Sequence, residues 1–276
     1  MTRRVHAGVT CRGDRRIAAW PVMAVTLAFV ATTAMAEERA LPLSALRSGV
    51  SFAGADVRAM QEDDIANPGM LWVERGEKLW QTPAGSEGRT CASCHGDAQQ
   101  SMRGVAARYP AYDKTAQDVL DLEGRIGDCR VRRQKAPREA RDAEDMLALA
   151  TYVAYQSRGM PVNVAIDGPA QASFERGRAF YYKRQGQMNL SCAQCHEQSW
   201  GKRLLTETIS QGHGTAFPAY RLEWQALGTL QRRLRACLFG VRADMPAEGS
   251  RELTDVELYL AWREQGLPVE APGVRR

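Results

Sequence analysis

The sequence predicts an all-α chain built from two tandem copies of one helical unit, and three observations predict it. Segments of the second half repeat those of the first: "ERGEKLW" at 74–80 returns as "ERGRAFY" at 175–181, and "YVAYQSRGMPVN" at 152–163 as "YLAWREQGLPVE" at 259–270. Apolar residues in the last predicted helix of each copy recur at i, i+3, i+4 spacing, the period of one helix face, before Gly and Pro end it. Each copy also carries Cys-x-x-Cys-His 17 residues after its first Glu: Cys91, Cys94 and His95, then Cys192, Cys195 and His196. No segment alternates apolar and polar residues convincingly enough to read as a strand.

Taken in order, the chain opens with Arg3, Arg4, Arg12, Arg15 and Arg16, then the apolar "IAAWPVMAVTLAFVATTAMA", then the acidic "EER". This predicts a signal peptide over 1–36, cleaved after Ala34-Met35-Ala36. A retained anchor needs roughly 20 uninterrupted apolar residues, and Pro21 interrupts this run. Two domains are predicted to follow, 37–162 and 163–276, joined through the turn-rich "MPVNVAIDGPAQAS". In each, a helix near Glu74–Gln81 or Glu175–Arg184 leads to the Cys-x-x-Cys-His motif. A loop with "YPAY" or "FPAY" comes next, then a helical stretch ending near a third cysteine, then the amphipathic helix of "EDMLALATYVAYQSRG" or "TDVELYLAWREQG". The repeat offset grows from 101 to 108 between motif and Pro, so the second copy carries about seven extra residues there.

Two cysteines of Cys-x-x-Cys-His form thioethers to a porphyrin and the histidine binds its iron, so the chain is predicted to hold two covalently bound c-type haems. Short helices around such a motif, with the last crossing the first, describe a cytochrome c-like domain. Thioethers would join Cys91, Cys94, Cys192 and Cys195 to the haems, with His95 and His196 as metal ligands. Covalent attachment on an unfolded, exported chain places the protein in the periplasm, with no membrane anchor after cleavage. Without the leader, the 37 basic and 32 acidic residues become 32 and 31, a balance that argues against a nucleic-acid partner.

The opposite face of each iron needs a ligand. His213 is the only histidine left over, and Met245 in "RADMPAEG" is a candidate that the repeat does not duplicate. Cys129 and Cys237 are duplicated, 34 residues after His95 and 41 after His196, the difference being the same seven residues. They read as thiolate metal ligands, with a mutual disulfide or two buried apolar thiols as alternatives. Arginines surround both. Arg125 precedes Cys129 by four and Arg233 precedes Cys237 by four, which on a helix puts guanidinium and sulfur on one face. Such charges lower a thiol pKa and hold anions. Arg233, with Arg242 second from the same cluster, is the candidate for binding an anionic substrate. Spacing alone does not choose between the halves.

The two motifs at this separation, "RRLRACLFGVRADMP" and the trailing "GSRELTDVELYLAWREQGLPV" resemble the SoxA family, dihaem subunits of the SoxAX cytochromes of bacterial sulfur oxidation. The resemblance covers most of residues 65–270 and is more specific in the second half. It implies an L-cysteine S-thiosulfotransferase, which oxidatively conjugates thiosulfate to a cysteine of a SoxYZ-like carrier protein and passes electrons to its haems. It implies that Cys237 is the catalytic, haem-ligating cysteine persulfide, that Arg233 contacts substrate, that Cys129 ligates the first haem, and that a SoxX-like monohaem cytochrome is the partner. A dihaem electron-transfer cytochrome and a dihaem thiosulfate dehydrogenase forming tetrathionate are the alternatives.

Overall fold

Glycine sets where the principal helices cross. In the computed structural model, which describes residues 41–276 and leaves the predicted signal peptide outside, α1 (Ala55–Glu62) is followed by α2 (Met70–Gln81). Helix α2 buries Val73, Gly76 and Trp80, one face at helical spacing. A methyl group on Gly76 would run into the Ala148 carbonyl oxygen of α6 (Glu144–Tyr155). Between them lie α3 (Ala92–His95), α4 (Ala98–Ser101) and α5 (Leu122–Cys129). Asp121 caps α5 by accepting from the Gly124 N–H, and the helix loosens into a π-turn over Arg130–Gln134.

The same order returns. Helix α7 (Gln171–Tyr182) packs on α10 (Arg251–Arg263), and here Gly177 meets the Asp255 carbonyl. The second motif forms α8 (Cys192–His196), opened by a capping box in which Ser191 and Gln194 satisfy each other's backbone N–H groups. Helix α9 (Leu230–Gly240) is capped by Thr229 and runs on past Cys237.

The expectation of an all-helical chain is corrected by three small sheets among the described residues. Strands β1 (Ala111–Asp113) and β2 (Asp118–Leu120) form a hairpin, Ala111 opposite Leu120. The extra segment of the second half contributes the two-residue pair β3 (Arg203–Leu204) and β4 (Glu207–Thr208). Strands β5 (Ala219–Arg221) and β6 (Ala226–Gly228) repeat the first hairpin, and β7 (Gly273–Arg275) joins β5 in parallel. Three residues are too few to display a period of two, so sequence pattern could not reveal these strands.

Helix α10 also departs from the amphipathic expectation, because Leu253–Arg263 are all buried. It lies under both halves: Ala107, Val119, Ala154 and Val162 share one apolar cluster with Phe174, Tyr181, Tyr259 and Trp262. Its buried polar groups are paired. Asp255 accepts from Ser173 and Arg176, Gln231 donates to Glu257 at 3.2 Å, and Arg263 donates to the Gln211 carbonyl at 3.1 Å. Among the described residues no helix is long and apolar enough to cross a membrane.

Candidate haem centres and anion site

In the first half, Cys91, Cys94, His95 and Cys129 line one cavity of about 700 Å³, a volume in the range of cofactor clefts. Its walls are largely apolar, with Trp80, Leu122, Ile126 and Val153, while Arg89, Arg108 and Arg133 stand among them. Apolar walls for a ring, two thiols and an imidazole for attachment, and cations for carboxylates fit a c-type haem. Trp80 donates from Nε1 to the Gly96 carbonyl at 2.9 Å and lies 5.8 Å, centre to centre, from the His95 ring. Burial, and then the neighbouring Cys129, push the Cys91 thiol up to about 11. Burial also raises Cys129 despite Arg125 and Arg133, so the expected lowering of that thiol is outweighed by desolvation. Coordination of Cys129 to a haem iron would reverse that balance, since a metal-bound thiol gives up its proton.

The second half gathers the equivalent groups. Cys192 is pushed up to about 12 by burial and then by Cys237, and Cys195 is raised by the same two causes. Cys237 on α9 therefore lies within electrostatic reach of the thiols of α8. His196 donates from Nδ1 to the Ser210 carbonyl at 2.8 Å, which leaves Nε2 free for a metal and locks the ring plane. Gly212 lies against the same edge of that ring, where an added Cβ would be 2.7 Å from Cγ.

That contact locates the leftover histidine. His213 follows Gly212 and is buried, with its Nε2 3.2 Å from Gln211 Oε1 and its Nδ1 4.0 Å from Glu264. Burial, and then Arg263, hold it neutral, near 3. Met245 is 45% exposed on a surface loop. Arg242 is exposed on a left-handed turn and donates to Gln187 at 3.3 Å.

The arginines four residues before the two late cysteines differ in their partners, while Arg133 lines the first cavity with no carboxylate paired to it among the described residues. Around Cys129, Arg125 is held by Asp113 at 2.9 Å, Arg130 by Glu139 at 2.6 Å and Arg132 by Asp128 at 3.4 Å. Around Cys237, Arg235 pairs with Glu248 at 3.2 Å and Arg232 lies over Trp224 at 4.3 Å. Among the described residues no carboxylate pairs with Arg233. Its neighbour is Arg221 of β5, a residue that sequence reasoning missed. Aligning the halves at the 108-residue offset exposes it, because Arg221 takes the place of Asp113.

The family model of the SoxA/TsdA cytochrome c domain matches residues 75–162. The L-cysteine S-thiosulfotransferase subunit SoxA of Pseudaminobacter salicylatoxidans is 44% identical over 230 residues, spanning 83% of this chain and 80% of that protein. That of Rhodovulum sulfidophilum matches with the same identity and coverage. The crystal structure of SoxXA from P. pantotrophus has a chain that superposes with a TM-score of 0.80 at 37% identity, covering 83% of this chain and 86% of that one. Sequence and fold agree over the same span, and the chain belongs to the SoxA family.

Proposed function

We propose that this chain is the catalytic subunit of an L-cysteine S-thiosulfotransferase, acting in the periplasm on thiosulfate and a cysteine of a SoxYZ-like carrier, in a heterodimer with a SoxX-like cytochrome. Its relatives carry the activity in their names, and one is solved as SoxXA. Two tandem cytochrome c-like domains, 37–162 and 163–276, related by duplication, each hold one covalent haem in this reading. The recurrence of element order and of the crossing glycines Gly76 and Gly177 supports it. Cys91 with Cys94, and Cys192 with Cys195, hold the porphyrins, while His95 with Cys129, and His196 with Cys237, hold the irons.

What supports placing the chemistry in the second half is the arginine four residues before each cysteine: Arg125 is paired with Asp113, whereas among the described residues no carboxylate pairs with Arg233 near Cys237. Arg233 holds the sulfonate of thiosulfate and turns its sulfane sulfur toward Cys237, with Arg242 at the outer turn as a second candidate. The Cys237 thiolate and thiosulfate join through a new S–S bond with loss of two electrons. The c-type haems, when bound, supply the acceptor for those electrons. The carrier thiolate then attacks the middle sulfur, forming the carrier S-thiosulfonate and returning Cys237 as thiolate, so that atoms and charge balance.

The test is Cys237→Ala in the holoprotein. The variant is expected to keep the haem mass of the wild type, change the second haem's absorption spectrum, and lose thiosulfate-dependent mass gain on the carrier by at least about a thousandfold, the scale for removing a nucleophile. Conjugation at the normal rate would make the sulfur a ligand only.

A further inference from the structure

The two hairpins carry opposite charges at one equivalent position. In the first, Asp113 of β1 takes the Arg125 guanidinium at 2.9 Å. In the second, the equivalent residue of β5 is Arg221, and the equivalent of Arg125 is Arg233. A carboxylate–guanidinium pair in one half has become two guanidinium groups in the other, beside Cys237.

Arg221 is buried and Arg233 half-buried, and two guanidinium groups so placed favour an anion between them. Arg221 is only 6% exposed, and its Nε is buried with no hydrogen-bond partner. Its Nη2 donates to Glu223 at 3.0 Å, but Glu223 is a surface carboxylate whose side chain is 57% exposed. Trp224 lies 5.2 Å from the guanidinium and fixes its plane. Burial, and then the Arg233 charge, hold Arg221 below the usual guanidinium range, while Glu223 and then Cys237 pull the other way. One donor is thus unsatisfied where an oxyanion would satisfy it.

We infer that Arg221 and Arg233 form a two-guanidinium clamp for the sulfonate of the substrate beside Cys237, with Arg221 a further binding residue of this reaction. The inference rests on the reading of Cys237 as the reacting sulfur. Two guanidinium groups from different elements hold three sulfonate oxygens in a fixed orientation, which one arginine does not. Glu223 tunes the clamp by drawing one nitrogen of Arg221 toward the surface. The first half, with Asp113 in this place, binds no such anion at Arg125.

The shared chemistry is an oxyanion, which a haem carboxylate could also supply, and the experiment separates the two sources. Arg221→Gln, Arg221→Lys and Glu223→Gln are prepared as holoproteins, and kcat and KM for thiosulfate are measured with the carrier, alongside the resting spectrum and potentials of the haems. Arg221→Gln is expected to raise KM about tenfold or more with kcat little changed, as for loss of a charge-assisted hydrogen bond. Arg221→Lys recovers part of the loss, Glu223→Gln lowers KM, and the resting spectrum and potentials stay as in the wild type. Unchanged KM in Arg221→Gln and Glu223→Gln overturns the clamp. Shifted resting potentials with unchanged KM overturn it in favour of a haem carboxylate. Should the wild type itself fail to conjugate thiosulfate, the reading of function falls. Equilibrium titration with thiosulfate then decides the clamp, which requires weaker binding in Arg221→Gln.

Discussion

In the proposed reaction the second half relies on two side chains four residues apart on α9. Arg233 and Cys237 share a helix face, and a compact ammonium cannot reproduce the planar fork of a guanidinium on a sulfonate. Arg233→Lys is therefore expected to raise KM for thiosulfate by about tenfold while the haem spectrum is unchanged. Steady-state kinetics with the carrier protein check this, and wild-type KM would remove Arg233 from the substrate. In the first half the matching Arg125 is occupied by Asp113, so the same spacing has a different meaning there. The sulfur and the arginine were legible in the sequence as a repeated pair. Arg221 was not, because a residue 16 positions before Cys237 comes beside it only when a hairpin folds back.

At the scale of the element, the helix pairs α2 with α6 and α7 with α10 depend on a backbone approach that only glycine permits. A Cβ on Gly177 would overlap the Asp255 carbonyl and stand 3.1 Å from the Tyr259 Cβ, neither the mobile end of a side chain. Gly177→Ala should lower stability by about 1–3 kcal/mol, the usual range for overpacking. Gly240→Ala at the end of α9, where nothing lies within 4 Å, should leave stability unchanged or slightly higher. Thermal unfolding of both holoproteins checks this, and equal midpoints would show that the helices slide apart freely. The repeated "ERG" marked both crossings in the sequence. That α10 is buried on every side was not marked, since its polar residues read as a solvent face until their partners from α7 and α9 are in place.

At the scale of the molecule, the halves meet through buried polar groups as well as apolar ones. Asp121 from the first half accepts from Arg141 and, at 2.8 Å, from Gln231 of α9, while Gln231 also donates to Glu257 of α10. Glu123 stands in the same cluster. Burial, then Asp121, push it up to about 7 against the pull of Arg141, and Glu257 is raised for similar reasons. A carboxyl raised in the folded state stabilises it fully below the unfolded value near 4.5, and that contribution is lost as pH rises through the folded value. The holoprotein should therefore lose stability between about pH 5 and pH 8. Glu123→Gln should flatten that loss by on the order of 2 kcal/mol, or about 5 °C in Tm. Melting curves across this range check it, and parallel curves for wild type and variant would place the charge elsewhere.

The sequence by itself determined the repeat, the order of helices, the two attachment motifs and the late cysteines, because each is a local pattern or a spacing along the chain. Its resemblance to SoxA carried the activity, which the relatives and the superposed fold then bore out. Only the tertiary structure decided that Arg125 is paired with Asp113 while Arg233 has no carboxylate among the described residues, what His213 bonds, and how the halves share α10. These are matters of contact between segments far apart in the chain. In the first hairpin a carboxylate quenches the arginine and in the second another arginine adds to it, a difference of one residue whose consequence is visible only across the fold.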